Sequence, residues 1–414
     1  MNVLLITPHY PPEIRSVSVL MSQLAEDLAA RGHAVTVIAP RPPSHMDEAS
    51  VSAPPAEEER NGVRVRRVAV LPFVKVPRAV RAVTHFTLAA SVVWGGLRAG
   101  RHDAVIVYSP PLPLALAAEI VARRWAAPVV VNVQDIYPQA LIDLGLARNR
   151  VVLGVLRWLE RRAYRHAAAL VVHSDGNRRL LLARGIEPAK VMVVPNWVDT
   201  RGAASAGPNS YRAELRLGDR FVVLFAGVMG YAQDMSVIVE AASLLRDDSR
   251  IVFVLAGDGV RRGEAEAVVQ SRGLTNVRFL PLQPIDRYPS LVDAADCCLV
   301  TLEASVATPV VPSKIGGILA QARPIVAALP RGDARDIVEE SGGGVCVDPG
   351  DANGLARAIR ELAADPAARH AMGEAGRRYA DAHLSRTAAT GAYAALLERF
   401  RAPQEGVRVG AANP

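Results

Sequence analysis

Short runs of β-branched and aliphatic residues alternate with amphipathic stretches along almost the whole chain. Short β-branched runs at 3–6, 34–39, 64–70, 104–108, 128–133, 169–173 and 192–195 predict strands, and amphipathic segments between them predict helices. The clearest helix is 15–31, where Leu20, Leu24 and Leu28 share one face and Gly32 ends the run. A Gly/Ser/Ala-rich stretch at 200–210 interrupts the pattern, which then restarts. Strands are expected at 221–226, 251–256, 277–280, 297–301, 324–328 and 344–347. Helices are expected at about 234–245, 261–272, 286–295, 313–322, 334–341 and 351–364. Continuously apolar strands in βαβα order imply parallel sheets covered on both faces. The expectation is an α/β chain of two doubly wound, Rossmann-like domains facing a cleft, 1–200 and 201–383. A C-terminal helix at 384–402 and a disordered tail at 403–414 follow.

Sheets of this kind bind ligands beyond the carboxyl ends of their strands, so residues just after strands carry the candidate chemistry. The first strand runs into Thr7-Pro8-His9-Tyr10-Pro11-Pro12-Glu13. Three prolines stiffen that loop, and it lacks the G-x-G-x-x-G and Walker patterns, which excludes nicotinamide and P-loop chemistry. No D-x-D pair and no Cys/His cluster of ligand spacing occurs, so neither a metal nor another cofactor is expected. Cys297, Cys298 and Cys346 are too few for a disulfide framework and fit a reducing compartment. The first residues have no basic region or cleavage site and read as a strand, not a signal peptide.

The net charge of +7 divides unevenly. Residues 1–200 hold 24 Lys and Arg against 16 Asp and Glu, whereas residues 201–414 hold 24 against 25. From Arg60 to His102 there are nine Lys and Arg and no acid. Two readings fit: a solvated basic face, or a surface facing an anionic partner. Residues 79–98 are apolar with basic ends and too interrupted to span a bilayer. They suit either a helix packed on the sheet or one lying in a membrane interface beside Lys75, Arg78, Arg81, Arg98 and Arg101. Nucleic acid is not an expected partner, because no stacking aromatics accompany the arginines.

In the second half, strand 221–226 leads into Gly227-Val228-Met229-Gly230 and then Gln233-Asp234. Glycines between a strand and a helix let backbone amides approach an anion, although a plain tight turn has the same pattern. Gly257-Asp258-Gly259 forms a second such turn. Val311-Pro312-Ser313-Lys314 opens a helix with one of only three lysines in the chain. A cation there opposes the helix dipole unless an anion sits nearby, so Ser313 and Lys314 are candidate diphosphate ligands. In the first half, Asp135 follows strand 128–133 and fits two roles, acceptor-hydroxyl contact or N-cap of a helix near Pro138. His9 and Glu13 could reach the same cleft, and 196–199 could act as a hinge clamp.

Together these elements resemble the family 4 glycosyltransferases of GT-B fold over nearly the whole chain. The resemblance rests on Pro11-Pro12-Glu13, the 31–37 entry to the second strand, Pro195-Asn196-Trp197-Val198-Asp199, Gly257-Asp258-Gly259 and Ala294-Ala295-Asp296. Ser109-Pro110-Pro111-Leu112, Asp135-Ile136-Tyr137-Pro138 and Val311–Lys314 are similar to the fucosamine-transferase-like and colanic-acid-type group of bacterial surface polysaccharide assembly. The resemblance implies a metal-independent, retaining transfer from a nucleotide-diphosphate sugar, a UDP-N-acetylamino sugar in that group. The acceptor would be a polyprenyl-diphosphate-linked saccharide, and the enzyme would be cytoplasmic, peripheral at the inner membrane face through residues 60–101. It further implies catalytic roles for Asp135 and Lys314, donor binding by Gly227, Gly230, Gln233, Asp258, Ser313 and Lys314, and an acceptor side built from His9, Glu13 and Asp135. Two glutamates common in the family are Pro309 and Gly317 here, and a family lysine is Gln233. Two other readings share the architecture: a nucleotide-sugar 2-epimerase and a non-catalytic membrane scaffold.

Overall fold

The computed structural model describes residues 1–13, 15–42, 54–70, 78–199, 210–284 and 286–401. Lys75, the 200–209 stretch and the 403–414 tail therefore lie outside the described residues.

The first lobe runs β1 (Asn2–Ile6), α1 (Ser16–Ala30), β2 (Ala34–Pro40), β3 (Glu57–Arg60), β4 (Val63–Val68), α2 (Arg78–Arg98), β5 (Ala104–Ser109) and α3 (Leu112–Arg123). It continues through β6 (Val129–Val133), α4 (Gln139–Asp143), α5 (Arg150–His166), β7 (Ala169–Val172), α6 (Asp175–Ala183) and β8 (Val191–Val193). Its eight strands are ordered β3-β4-β2-β1-β5-β6-β7-β8. All neighbours are parallel except the β3–β4 pair.

The second lobe holds α7 (Ser210–Glu214), β9 (Phe221–Ala226), α8 (Met235–Leu244), β10 (Ile251–Ala256), α9 (Arg262–Ser271), β11 (Val277–Leu280), α10 (Tyr288–Asp293) and β12 (Cys297–Thr301). Then come α11 (Lys314–Ala320), β13 (Ile325–Ala328), α12 (Asp333–Glu340), β14 (Gly344–Val347), α13 (Ala352–Ala364), α14 (Pro366–His383) and α15 (Arg386–Glu398). Its parallel sheet is ordered β11-β10-β9-β12-β13-β14. The strand order reverses between β1 and β5 in one lobe and between β9 and β12 in the other, which places the ligand crevices at those loops.

Strand alternation explains the layering. In β1, Val3 and Leu5 enter one core and Leu4 and Ile6 the opposite one. In β9, Val223 and Phe225 face one helical layer while Val222, Leu224 and Ala226 face the other. Such strands need apolar side chains on both faces, which is why they read as unbroken hydrophobic runs.

Three elements escaped the pattern, the five-residue α7 among them. β3 is Glu57-Glu58-Glu59-Arg60, with no apolar residue; it is held by its ladder to β4 and by ion pairs from Arg66 to Glu57 and Arg67 to Glu58, each 2.8 Å. α14 buries Gly373, Gly376 and Ala380, a small-residue stripe where periodicity shows no bulky face. A Cβ on Gly373 would stand 2.1 Å from the Ala322 carbonyl oxygen, so the helix approaches backbone directly.

The lobes are joined twice. Val198 and Ser385 form a parallel bridge, with the Val198 amide donating to Leu384 O at 2.9 Å. α15 then returns to the first lobe, where Tyr393, Leu396 and Leu397 share a core with Val3, Leu24 and Trp197. Arg386 anchors it on Asp27 at 2.7 Å. Across the gap, the Thr308 amide donates to Asp143 Oδ2 at 2.7 Å, and the Gly176 amide donates to Asp333 Oδ2 at 3.0 Å.

Candidate functional site

On the second lobe the site grows from the ends of three adjacent strands, β10, β9 and β12. Lys314, the first residue of α11, folds its side chain back under the β9 loop. Its amine nitrogen lies 3.7 Å above the Phe225 ring centroid and is sealed from solvent with no hydrogen-bond partner. A methyl group on Gly227 would sit 3.3 Å from that nitrogen, so lysine and glycine turn are in direct apposition. Burial drives the Lys314 pKa down from 10.5 to about 7. Ser313 precedes it, exposed, and makes no side-chain cap to the helix.

The glycine loop itself differs from an open anion cradle. The Gly227 amide donates to Ala256 O and the Met229 amide to Asp258 O, both at 2.9 Å. The Gly230 amide donates to Gln233 Oε1 at 3.1 Å. Three amides of the 227–230 turn are thus spent inside the protein, and Gln233 fastens the loop. Asp234 supplies the true N-cap of α8, accepting from the Val237 amide.

Gly257 and Gly259 have a structural cause. At φ 154° and 149°, their missing side chains let the second turn lie directly on the first. A Cβ on Gly257 would fall 1.8 Å from Gly227 O, and one on Gly259 2.4 Å from Met229 O. Asp258 between them is exposed and accepts from the Gly259 amide at 2.7 Å.

Sequence reasoning missed a pair that straddles this loop. Arg261, beyond β10, reaches Glu303, beyond β12, at 2.7 Å. The Glu303 amide also donates to Ala232 O, and the Arg261 amide to Met229 O. Burial, and then the nearby Asp234, raise the Glu303 pKa. Both residues stand a few positions past strand ends, the one signal that could have found them.

On the first lobe, Asp135 is recessed beyond β6, and burial alone holds its carboxyl above the ordinary value of 3.8. It does not serve as the helix cap: Pro138 is the N-cap of α4, without a side-chain cap bond. Tyr137 lies beside it, its hydroxyl pushed up to about 12 by burial and then by the Asp135 charge. Neighbouring Gln134 donates to Asn132 at 2.8 Å and to Asn196 at 3.0 Å, tying the loop to the interlobe crossing. His9 and Glu13 form a pair of their own, with Nδ1 of His9 2.5 Å from the buried Glu13 carboxylate.

The basic run 60–101 is divided: Arg60, Arg64, Arg98 and Arg101 are exposed, whereas Arg66 and Arg67 are taken up by partners inside the lobe. Arg66 is paired to Glu57, and Arg67 is buried between Glu58 and the Pro11 carbonyl. The β3 strand, contributed from outside the run, neutralises them. Arg98 stacks on Trp94 at 4.1 Å. The side chains of Arg78 and Arg81 lie outside the described residues. Among the described residues, no helix is long and apolar enough to cross a membrane.

Comparison with known proteins places this geometry. A Glycosyl transferase 4-like domain matches residues 17–197, and a Glycosyl transferases group 1 domain matches residues 209–379. A protein of Escherichia coli described as a colanic acid biosynthesis glycosyl transferase is 28% identical over 87% of this chain and 92% of its own. A D-inositol 3-phosphate glycosyltransferase of Kineococcus radiotolerans is 31% identical over 86% and 84%. Among solved structures, sucrose-phosphate synthase of Thermosynechococcus elongatus superposes with TM-score 0.78 at 19% identity, covering 96% of this chain and 98% of that one. Anabaena HepE in complex with UDP-glucose gives 0.73 at 18%, covering 96% and 100%. These relatives bear transferase names, which does not favour an epimerase. Two switch-point sheets facing each other, joined by a double crossing and matched domain by domain, leave one assignment: the chain belongs to the family 4 glycosyltransferases of GT-B fold and is a glycosyltransferase.

Proposed function

We propose that this enzyme moves a sugar from a UDP-sugar, an N-acetylamino sugar by the motif resemblance, onto a lipid-diphosphate-linked saccharide with retention at the anomeric carbon. The setting would be bacterial surface polysaccharide assembly, in keeping with the Escherichia coli relative's name. The observation that carries the reading is the unpartnered, buried Lys314 amine under the Gly227 turn. An amine without an acceptor, its pKa drawn to about 7, gains a proton and a partner together when a diphosphate arrives.

As the glycosidic bond breaks, negative charge grows on the leaving diphosphate. Lys314 meets that charge where a metal ion would otherwise do so, and Ser313 adds a hydroxyl from the same turn. The loop amides bound within the protein set the shape of the site. Glu303 offers the ribose a carboxylate that positions 309 and 317 lack. Asp135 orients or deprotonates the acceptor hydroxyl from the opposite lobe. The contacts Asp143–Thr308 and Asp333–Gly176 hold the lobes together and help to exclude water during transfer.

Calorimetric titration of UDP-, GDP- and unrelated nucleotide sugars tests the donor, with Lys314→Ala alongside. UDP-sugar binding that weakens at least ~10-fold in the variant supports the reading. Equal binding by both proteins, or binding of no nucleotide sugar, would remove it. The coupling constant of the product's anomeric proton decides retention against inversion.

A further inference from the structure

We propose that the first two turns of α5, flanked by the outer faces of α2 and α3, form the surface on which the protein lies against an anionic lipid bilayer. The proposal rests on the reading above that the acceptor is lipid-borne, but it arises from a different observation. None of residues 150–158 is buried; the first buried residue of α5 is Leu159. Yet this protruding segment is Arg-Val-Val-Leu-Gly-Val-Leu-Arg-Trp. Val151 is 75% exposed and Trp158 52%, with Val152 and Val155 close behind. Leu153 and Leu156 are half-buried, but Val151, Val152, Val155 and Trp158 are exposed and have no intramolecular reason to be apolar.

α3 packs between α2 and α5, so the three helices share one side of the lobe. α2 adds Phe86, Leu97 and the 63% exposed Trp94, and α3 adds Ile120. The two exposed tryptophans each carry an arginine over the ring, Arg98 on Trp94 and Arg162 on Trp158.

The charges on this side choose the occupant. α2 contains no acid, and the single acids of α3 and α5, Glu119 and Glu160, are buried. Glu119 is bound to Arg123 at 2.6 Å and Arg162 at 2.9 Å, and Glu160 to Arg184. Arg148, Arg150, Arg157, Arg161 and Arg165 are exposed around the apolar segment. Apolar side chains flanked by exposed arginines, with tryptophans among them and the acids of the three helices buried, match the headgroup region of an anionic bilayer. A second copy of the chain would present the same cations and repel. α5 leads into β7, so its apolar end lies toward the carboxyl edge of the sheet, the edge that opens on the cleft. A lipid-borne acceptor would therefore meet the site without leaving the membrane surface.

The test uses the full chain with phosphatidylcholine vesicles and with mixed phosphatidylcholine–phosphatidylglycerol vesicles. The expected result is flotation with the mixed vesicles, weakened by salt, and little with phosphatidylcholine alone. The combined variant Val151→Ser, Val155→Ser and Trp158→Ser should lose at least ~10-fold in apparent vesicle affinity. Its melting temperature, and its transfer to a water-soluble acceptor, should stay as in the parent, because these side chains support no core. Brominated acyl chains should quench parental tryptophan fluorescence, and quench it less in Trp158→Phe. Equal flotation of parent and variant would overturn the proposal. So would a parental dimer that the variant dissolves, which would make a second copy the occupant. Vesicle binding in a protein that transfers no sugar would unseat the proposed function and leave this surface standing.

Discussion

The amine of Lys314 lies 3.7 Å above the ring of Phe225 with no hydrogen-bond acceptor of its own. A pKa of about 7 in the folded chain against 10.5 unfolded means that the unfolded chain binds more protons between those values. Stability should therefore climb as pH rises from about 7 to about 10.5. Lys314→Met should abolish that climb and stabilise the protein near neutrality by about 1–4 kcal/mol, while turnover falls ~10²-fold or more. Urea titrations across pH and steady-state kinetics check both halves. Calorimetry in buffers of different ionisation enthalpy should show proton uptake when UDP binds above pH 7.

Asp135 obeys the opposite sign. Burial raises its folded pKa above 3.8, so the folded chain holds its proton longer than the unfolded one. Stability should drop as pH rises from 3.8 through the raised value, and Asp135→Asn should remove this drop. The same variant should lose ~10²-fold or more in turnover and bind UDP as the parent does. A pH–rate profile of the parent should place its acidic limb above the usual carboxylate range.

Gly257 and Gly259 admit no side chain. With a Cβ of Gly257 due 1.8 Å from Gly227 O, Gly257→Ala must part the two turns. Its positive φ adds backbone strain. A loss of about 3 kcal/mol in urea unfolding is expected, together with weaker UDP binding. A fully stable, fully binding variant would show that the turns need not touch.

The proposed function gives Glu303 the donor ribose. Glu303→Gln should raise the donor KM by about 10-fold with little change in kcat. Arg261→Ala separates this role from clamping, because it frees the carboxylate without removing it. If both variants behave alike, the pair only braces the loop.

Two carboxylates hold the lobes together, Asp143 on Thr308 and Asp333 on Gly176. Each bond is worth about 1 kcal/mol, so removing either should shift the closed-to-open ratio by about 5-fold. Small-angle scattering of the Asp143→Ala, Asp333→Ala double variant should show a larger radius of gyration than the parent.

Most strands were legible from their apolar runs: β9, β10 and β12 are buried on both faces and spell an uninterrupted apolar word, and the half-buried β11 and β14 also begin and end where the pattern puts them. β3 was not, because paired glutamates and arginines stabilise it rather than burial. α14 was hidden by its small-residue face. Within the site, the proximity of Lys314 to Gly227 followed from both lying at strand-to-helix junctions of one sheet. Which amides remained free could not be read, since that depends on where the Ala256 and Asp258 carbonyls and the Gln233 side chain point. The pairing of Arg66 and Arg67 inside the basic run was hidden for a related reason. Counting charges along the chain overlooks partners that a neighbouring strand brings from elsewhere.

The return of α15 to the first lobe sets a schedule for biosynthesis. Tyr393, Leu396 and Leu397 complete a hydrophobic layer begun by Val3 and Leu24. During translation that layer stays uncapped until the segment Arg386–Glu398 has left the ribosome. The amino-terminal half made alone would carry an open greasy seam, and adding the segment Arg386–Glu398 in trans should render it soluble.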